Sequence, residues 1–298
     1  MLADHQPERQ MTVRVAQISD THLSETRPFF HANFERVAAH LRAAAPDLVV
    51  NSGDLSLDGA DSDADLRRAK EMHDAIGPPW LAIPGNHDIG DNQRAVARQP
   101  VSDERIARYT AVFGADRWTR DIPGWRLVGV NAQLLGADLP AAAAQRGFVR
   151  DAVAGAEGRA IALFIHKPLF NRSAAETTIG GRFLPPAPRA ELLEAIGGAD
   201  LRLVACGHVH QHRVTHVDGG EHVWAPSTAF VLPDSVQPEY GRKLMGYVEH
   251  DFHADGRFES RLVQPEGLVR QNLADVPAAY GNIRPRQPAA GSAPAITP

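Results

Sequence analysis

The chain contains a single cysteine, Cys206, in 298 residues. It cannot close an internal disulfide, so the fold must rest on packing, and this usage fits a reducing compartment. No stretch approaches the roughly 18 consecutive apolar residues that a membrane-spanning helix requires. The opening segment, MLADHQPERQM, is polar and lacks the apolar core of a secretory leader. The expectations are a cytoplasmic location, no membrane contact, and a flexible N-terminus over residues 1–11. A basic excess is also missing: 31 Lys and Arg stand against 36 Asp and Glu, a formal charge of −5. That balance leaves no footprint for sequence-independent nucleic-acid binding, so a nucleic-acid partner is disfavoured. What the chain does have is ordinary globular composition, 43% hydrophobic and 22% charged, together with 14 histidines. That number of imidazoles calls for a search for metal ligands.

The hydrophobic pattern alternates. TVRVAQI (12–18), DLVVN (47–51), WLAI (80–83), WRLVGVN (125–131), AIALFI (160–165) and LRLVA (201–205) are short, apolar runs that read as buried strands. Between several of them the spacing becomes helical. Phe34, Val37, Ala38 and Leu41 form one stripe; Leu66, Ala69, His73 and Ile76 form a second, with Ser62 or Asp61 as N-cap. Ile106, Tyr109 and Phe113 suggest a third helix. Leu192, Leu193 and Ile196 suggest a fourth, stopped by Gly197-Gly198. Strand–helix alternation of this kind predicts an α/β layered fold. After residue 220 the helical period disappears, and HVWAP, LMGYVEHDF and RFESRLV predict strands of a second, more antiparallel sheet. One domain over 12–270 is expected, followed by a loosely ordered Pro/Ala-rich tail over 271–298.

Chemistry-bearing residues gather where these strands end, the place where open α/β sheets bind ligands. The strand ends run into Asp20-Thr21-His22, Gly53-Asp54, Gly85-Asn86-His87-Asp88, His166-Lys167-Pro168 and Gly207-His208-Val209-His210. A strand-end Asp alone is commonly an N-cap, and a lone buried His is commonly a hydrogen-bonded core residue. Five strand ends that all deliver oxygen and imidazole donors, three with glycine at the turn, read as one site.

In this order the motifs Asp20-x-His22, Gly53-Asp54, Gly85-Asn86-His87-Asp88, His166 and Gly207-His208-x-His210 resemble the signature of the calcineurin-like metallophosphoesterase superfamily over about residues 12–212. The resemblance implies the metallo-dependent phosphatase fold: an α/β, four-layer α/β/β/α sandwich of two mixed sheets flanked by helices. It implies a dinuclear metal centre in which Asp20, His22 and His210 bind one ion, Asn86, His166 and His208 bind the other, and Asp54 bridges both. Such ligands suit divalent or trivalent transition metals, Mn, Fe or Zn foremost. Two cations ~3.5–4 Å apart would support in-line attack on phosphorus by a metal-bridging hydroxide. The resemblance also places His87 near the leaving group as general acid, a role worth ~10²–10⁴ in rate. Asp88 is then expected to hold the His87 ring, or else to cap the turn.

Departures narrow the branch. Leu57 stands where purple acid phosphatases carry a tyrosine, and Leu57-Asp58-Gly59 lacks the arginine of the protein Ser/Thr phosphatases' Asp-Arg-Gly. The motifs are more similar to bacterial class III cyclic-nucleotide phosphodiesterases and glycerophosphodiesterase-like enzymes. The implied activity is hydrolysis of small phosphodiesters, with 3′,5′-cyclic AMP foremost. The alternatives are a phosphomonoesterase or nuclease of the same superfamily, and last a non-catalytic scaffold. His166-Lys167-Pro168-Leu169 departs from the His-His-Pro-Pro common in relatives, and the loop that follows is expected to wall the substrate pocket. Lys167, Arg172 and His212 are the candidate substrate contacts. Second-sheet edges and the loops at 91–105 and 170–188 could build a homodimer or a cap.

Overall fold

The computed structural model describes residues 12–92, 97–177 and 181–280. The expected flexible N-terminus lies outside them. β1 (Thr12–Ile18), β2 (Leu48–Asn51) and β3 (Trp80–Ala82) run parallel, and the only connections that let parallel strands neighbour one another are long crossovers. Helices α1 (His31–Ala44) and α2 (Asp63–Asp74) supply them. Both follow their sequence stripes: Phe34, Val37, Ala38 and Leu41 are buried, as are Leu66, Ala69 and His73. Of the two candidate caps it is Ser62 whose side chain accepts the Asp65 N–H, at 3.2 Å. The one-turn helix α3 (Asn86–Ile89) and helix α4 (Asp103–Phe113) follow β3.

The second sheet starts at its own edge with the hairpin β4 (Trp118–Ile122) and β5 (Trp125–Val130). It continues through α5 (Pro140–Ala154), β6 (Ala160–Ile165), α6 (Pro186–Ile196), β7 (Leu201–Cys206), β8 (Arg213–Val217) and β9 (Gly220–Trp224). Its order is β4-β5-β6-β7-β9-β8, with β5, β6, β7 and β9 parallel. β10 (Tyr247–His253) and β11 (Phe258–Val263) return to the first sheet, whose order is β11-β10-β1-β2-β3. The expectation that all strands after 220 build the second sheet is therefore corrected: β9 joins it, whereas β10 pairs antiparallel with β1. β1 is otherwise an open edge on that side, and β10, buried from Tyr247 to His250, closes it.

Val15, Val50, Trp125, Phe164, Leu203 and Phe252 pack between the sheets; α1, α2 and α4 cover one outer face, and α5 and α6 the other. The result is the expected four-layer α/β/β/α sandwich with two mixed sheets. None of the described helices is long and apolar enough to cross a membrane.

β4, β8 and α5 escaped the pattern reading. β4 and β8 are edge strands whose exposed positions carry Arg120, Asp121 and Val214, so neither shows a buried-strand signature. α5 buries Ala142, Gln145, Val149 and Ala152, a stripe with too little apolar contrast to stand out. Residues 271–280, placed by the sequence in the Pro/Ala-rich tail, are bonded to the domain. Val231 and Leu273 exchange backbone bonds with neighbours (Val231 N–H to Gln271 O and Leu273 N–H to Val231 O, both 2.9 Å), and Pro277–Tyr280 form a last turn, α7. Residues 281–298 lie outside the described part.

Two histidines off the strand ends are core residues. His73 donates from Nδ1 to the Ala69 carbonyl at 2.7 Å and accepts the Asn51 amide at Nε2 at 2.8 Å. His250 touches Ser260 and Gln17, and Gln17 in turn reaches across the sandwich to the Cys206 carbonyl at 3.2 Å. Burial pushes the pKa of His73 down to about 4 and that of His250 down to about 3. The unfolded chain, with ordinary histidines near 6.5, then binds more protons than the native protein below that pH. The contribution of these two histidines is full above pH ~6.5 and falls by about 1.4 kcal/mol per pH unit for each as pH drops toward the native values. Compared by guanidinium unfolding of metal-free protein at pH 7.5 and pH 5, His250→Gln should lose less stability on acidification than wild type, by one histidine's share.

Candidate metal centre

Five of the strands that point their carboxyl ends at the same rim deliver polar side chains to one place. β1 leads to Asp20 and His22, β2 to Asp54, β3 to Asn86 and His87, β6 to His166, and β7 to His208 and His210. Delivery costs backbone strain. Among the described residues, eight that are not glycine have positive φ, and five of them are Asp20, His22, Asp54, His208 and His210, at 44° to 66°. Such conformations cost about 1–3 kcal/mol each and persist only where the surroundings over-determine them. Here the fixing bonds are explicit. The Asp20 N–H donates to Gly53 O at 2.9 Å, and the Thr21 and His22 N–H groups share Asp54 O at 2.9 and 3.1 Å.

Two donor groups form. Asp20, His22, Asp54 and His210 bring their ligand atoms within 4.8 Å of one another, as do Asp54, His166 and His208, so Asp54 belongs to both. The Asn86 carbonyl joins the second group, 3.3 Å from His166 Nε2. All of the sequence-derived ligand residues therefore meet at one place.

Proton accounting shows that these groups fit cations. His166 Nδ1 lies 2.9 Å from the Ser52 carbonyl and His210 Nδ1 lies 2.8 Å from that of Phe230. A carbonyl only accepts, so both Nδ1 atoms carry a proton, and in the neutral rings both Nε2 atoms present lone pairs. His210 Nε2 then faces Asp20 Oδ1 at 3.2 Å and His22 Nε2 at 3.3 Å; His166 Nε2 faces Asp54 Oδ2 at 3.3 Å and His208 Nδ1 at 3.2 Å. Burial first, then the neighbouring imidazoles, hold His22 and His208 well below the usual histidine range, which keeps them neutral. Bare acceptors packed this closely repel one another unless positive charge sits among them. In the metal-free protein a proton supplies it: burial opposes charge on His166, but the Asp54 carboxylate overcomes that and raises its pKa to about 9.

The backbone has been shaped around this cluster. A Cβ on Gly85 would lie 2.1 Å from Asp54 Oδ1, and one on Gly53, itself at φ 108°, would lie 2.4 Å from His166 Nδ1. Any side chain at either position would displace a donor.

Other expectations resolve differently. The His87 N–H donates to Asp54 Oδ1 at 2.8 Å, and its ring lies edge-on to His22, 4.7 Å between centroids. Asp88 does not hold that ring. Its carboxylate accepts the Gly85, Leu55 and Ser56 N–H groups and the Ser56 hydroxyl, at 2.6–3.2 Å. It therefore clamps the Asp54 loop to the Gly85 turn, as the turn-cap alternative supposed, while His87 Nδ1 donates to the Leu57 carbonyl at 3.0 Å. Burial, then the Asp54 charge, pushes Asp88 up to about 6.

Lys167 is buried, with its three protons committed to Asp91 Oδ1 at 2.9 Å, Asp91 Oδ2 at 3.0 Å and Asn92 Oδ1 at 2.7 Å. It is a strut that satisfies a buried charge, with no proton left for substrate. Arg172 is exposed, and its N–H caps Glu176 at 2.9 Å. His212 donates to Trp224 O at 3.0 Å and belongs to neither donor group. The described part of the 170–188 loop is pinned by buried Arg189, which donates to the carbonyls of Leu169, Ala174 and Glu176. Sequence reasoning missed Asn51, whose Oδ1 accepts the Gly53 N–H at 2.9 Å, and Tyr280, whose hydroxyl lies 2.6 Å from His22 Nδ1. Neither carries a motif signal, since one is a strand-end amide and the other lies 258 residues from its partner.

Comparison with known proteins gives consistent findings. A family model described as calcineurin-like phosphoesterase matches residues 13–212. A probable cyclic nucleotide phosphodiesterase of Synechococcus sp. is 27% identical over 264 residues, covering 85% of this chain and 92% of that protein. A probable glycerophosphodiester phosphodiesterase of Arcobacter nitrofigilis is 24% identical, over 67% of this chain and 73% of that one. The purple acid phosphatase of yellow lupin (Lupinus luteus) seeds superposes with a TM-score of 0.60 at 15% identity, over 85% of this chain and 52% of that one. At that identity the likeness shows the fold.

The shared carboxylate makes a sharp prediction. Asp54→Ala should retain less than one ion per chain, because both donor groups lose their common anion, whereas His210→Ala should lose about one ion. Elemental analysis of the purified variants after gel filtration checks both.

Proposed function

The chain belongs to the calcineurin-like phosphoesterase family, a metal-dependent phosphoester hydrolase by that membership, and we propose that it hydrolyses small phosphodiesters, with 3′,5′-cyclic AMP the first substrate to test. The observation that carries this reading is one carboxylate, Asp54, common to two close-packed groups of carboxylate and imidazole donors. Relatives named for cyclic-nucleotide and glycerophosphodiester hydrolysis support the diester class. In this reading Asp20, His22 and His210 hold one ion, Asn86, His166 and His208 the other, and Asp54 both; Mn, Fe or Zn suits the donor set. A cytoplasmic location remains part of the proposal.

When bound, two such ions would supply an activated water and neutralise charge on the non-bridging phosphate oxygens. The protein's own residues do the rest. Five backbone-strained ligands hold the donor geometry before any ion arrives, so little reorganisation is left for the reaction. Asp88 and Asn51 hold the loop that carries Asp54, the first through the Leu55, Ser56 and Gly85 N–H groups and the second through Gly53. His87 is the general acid. Its Nδ1–H stays on the Leu57 carbonyl in either protonation state, so Nε2 is the atom that gives a proton to the departing alkoxide.

Protein loaded with Mn, Co, Ni or Zn should turn over bis(p-nitrophenyl) phosphate faster than p-nitrophenyl phosphate and release AMP from the cyclic nucleotide. Absence of turnover with all four metals would sink the assignment. His87→Ala should lower kcat by roughly 10²-fold or more on cyclic AMP but far less on the nitrophenyl diester, whose leaving group needs little protonation. Equal losses on both would make His87 a positioning residue instead.

A further inference from the structure

Of the ligand imidazoles whose second nitrogen makes a hydrogen bond to a group outside the cluster, His166 and His210 use backbone carbonyls and His22 uses a side chain. The Tyr280 hydroxyl lies 2.6 Å from His22 Nδ1 and 3.4 Å from the Leu57 carbonyl. In the tautomer that leaves His22 Nε2 free for an ion, Nδ1 carries the proton and donates to the phenol oxygen, and the phenol proton has the Leu57 carbonyl as its acceptor. We propose that Tyr280 is a positioning residue of the metal centre: its phenol oxygen accepts the His22 Nδ1 proton and so leaves the His22 Nε2 lone pair for an ion held together with Asp20, His210 and Asp54. The proposal rests on the metal-centre reading above and extends it to the far end of the chain.

The surroundings show that the contact is held in place. Tyr280 ends a segment anchored by Leu273 and Ala279, which are buried with Phe30, Leu57, Ala229 and Phe230. Arg27 ties it down, donating to the Ala279 carbonyl at 3.0 Å and to Asp58 Oδ2 at 3.0 Å. Phe230 links the two imidazoles on this side. Its ring lies 4.5 Å from that of His210 and 4.8 Å from that of His22, its carbonyl takes the His210 Nδ1 proton, and its ring packs 5.8 Å from Tyr280. Residues 271–280 thus latch one donor group and leave the other untouched, since His166 is oriented by Ser52 of the strand β2 loop. Without the phenol, His22 is free to take the other tautomer, in which Nε2–H points at the bare His210 Nε2 3.3 Å away and no lone pair remains for an ion.

The test separates the two groups. Metal-free wild type and Tyr280→Phe, which keeps the ring and its packing, are titrated with Zn(II) by calorimetry. The expected result is a roughly 10–100-fold weaker affinity for one ion and an unchanged affinity for the second. In the Zn(II)-loaded proteins, the His22 Nδ1 proton should be a slowly exchanging downfield resonance in wild type and exchange faster in the variant. Two unchanged affinities, or an unchanged His22 proton, would overturn the assignment; equal weakening of both ions would do so too, since it would mark a general structural role. Because metal affinity and tautomer are read rather than turnover, the diester assignment can fail while this one stands. Flat affinities alongside an active diesterase would defeat this one alone.

Discussion

The structure is organised around the placing of one buried carboxylate. Asp54 sits in a left-handed backbone conformation, nearly without solvent, with imidazoles on both sides of it. Burial opposes its charge, and the surrounding histidines, His166 foremost, nonetheless hold it ionised well below the usual carboxylate range. Everything near it serves to keep it there. Its own carbonyl receives the Thr21 and His22 N–H groups, which fastens the β1 loop to the β2 loop, and its side chain receives the His87 N–H, which fastens the β3 loop to both. The position of this anion is therefore also the position of three strand ends.

Two parallel sheet portions are what make that convergence affordable in chain length. Parallel strands place all their carboxyl ends on one rim, and two sheets packed face to face bring two such rims together. Asp20, Asp54 and Asn86 come from one sheet, and His166, His208 and His210 from the other. The seam is also tied by polar bonds, His208 N–H to Asp20 at 3.0 Å and Gln17 to the Cys206 carbonyl. Strain at five ligand residues is tolerated because the sandwich core beneath, from Val15 to Phe252, is buried on both faces and cannot yield locally.

Several side chains at this rim support the ligands without joining them, and their chemistry explains the difference. Asp88 stands next to His87 in sequence and is expected to hold its ring, but four donors already saturate its oxygens. Lys167 resembles a phosphate contact, but a buried ammonium must be paired, and Asp91 with Asn92 pairs it. His73 braces Asn51, which braces the Gly53 turn, so a core histidine reaches the carboxylate loop through two hydrogen bonds.

The amino-acid sequence by itself determined the α/β alternation, the stripes of α1 and α2, the stop at Gly197 and the candidate ligands, because each is written in local spacing: a period of two or 3.6, a turn glycine, a polar residue just past an apolar run. Tertiary structure decided what depends on partners far along the chain. The division of β9 from β10 and β11 between sheets, the edge strands β4 and β8, the donors that occupy Asp88, the acceptors that occupy Lys167, and the approach of Tyr280 to His22 are of this kind. Hydrogen bonds and buried charges are satisfied by whichever group the packed chain brings within 3 Å or so, and a one-dimensional pattern carries no record of that distance.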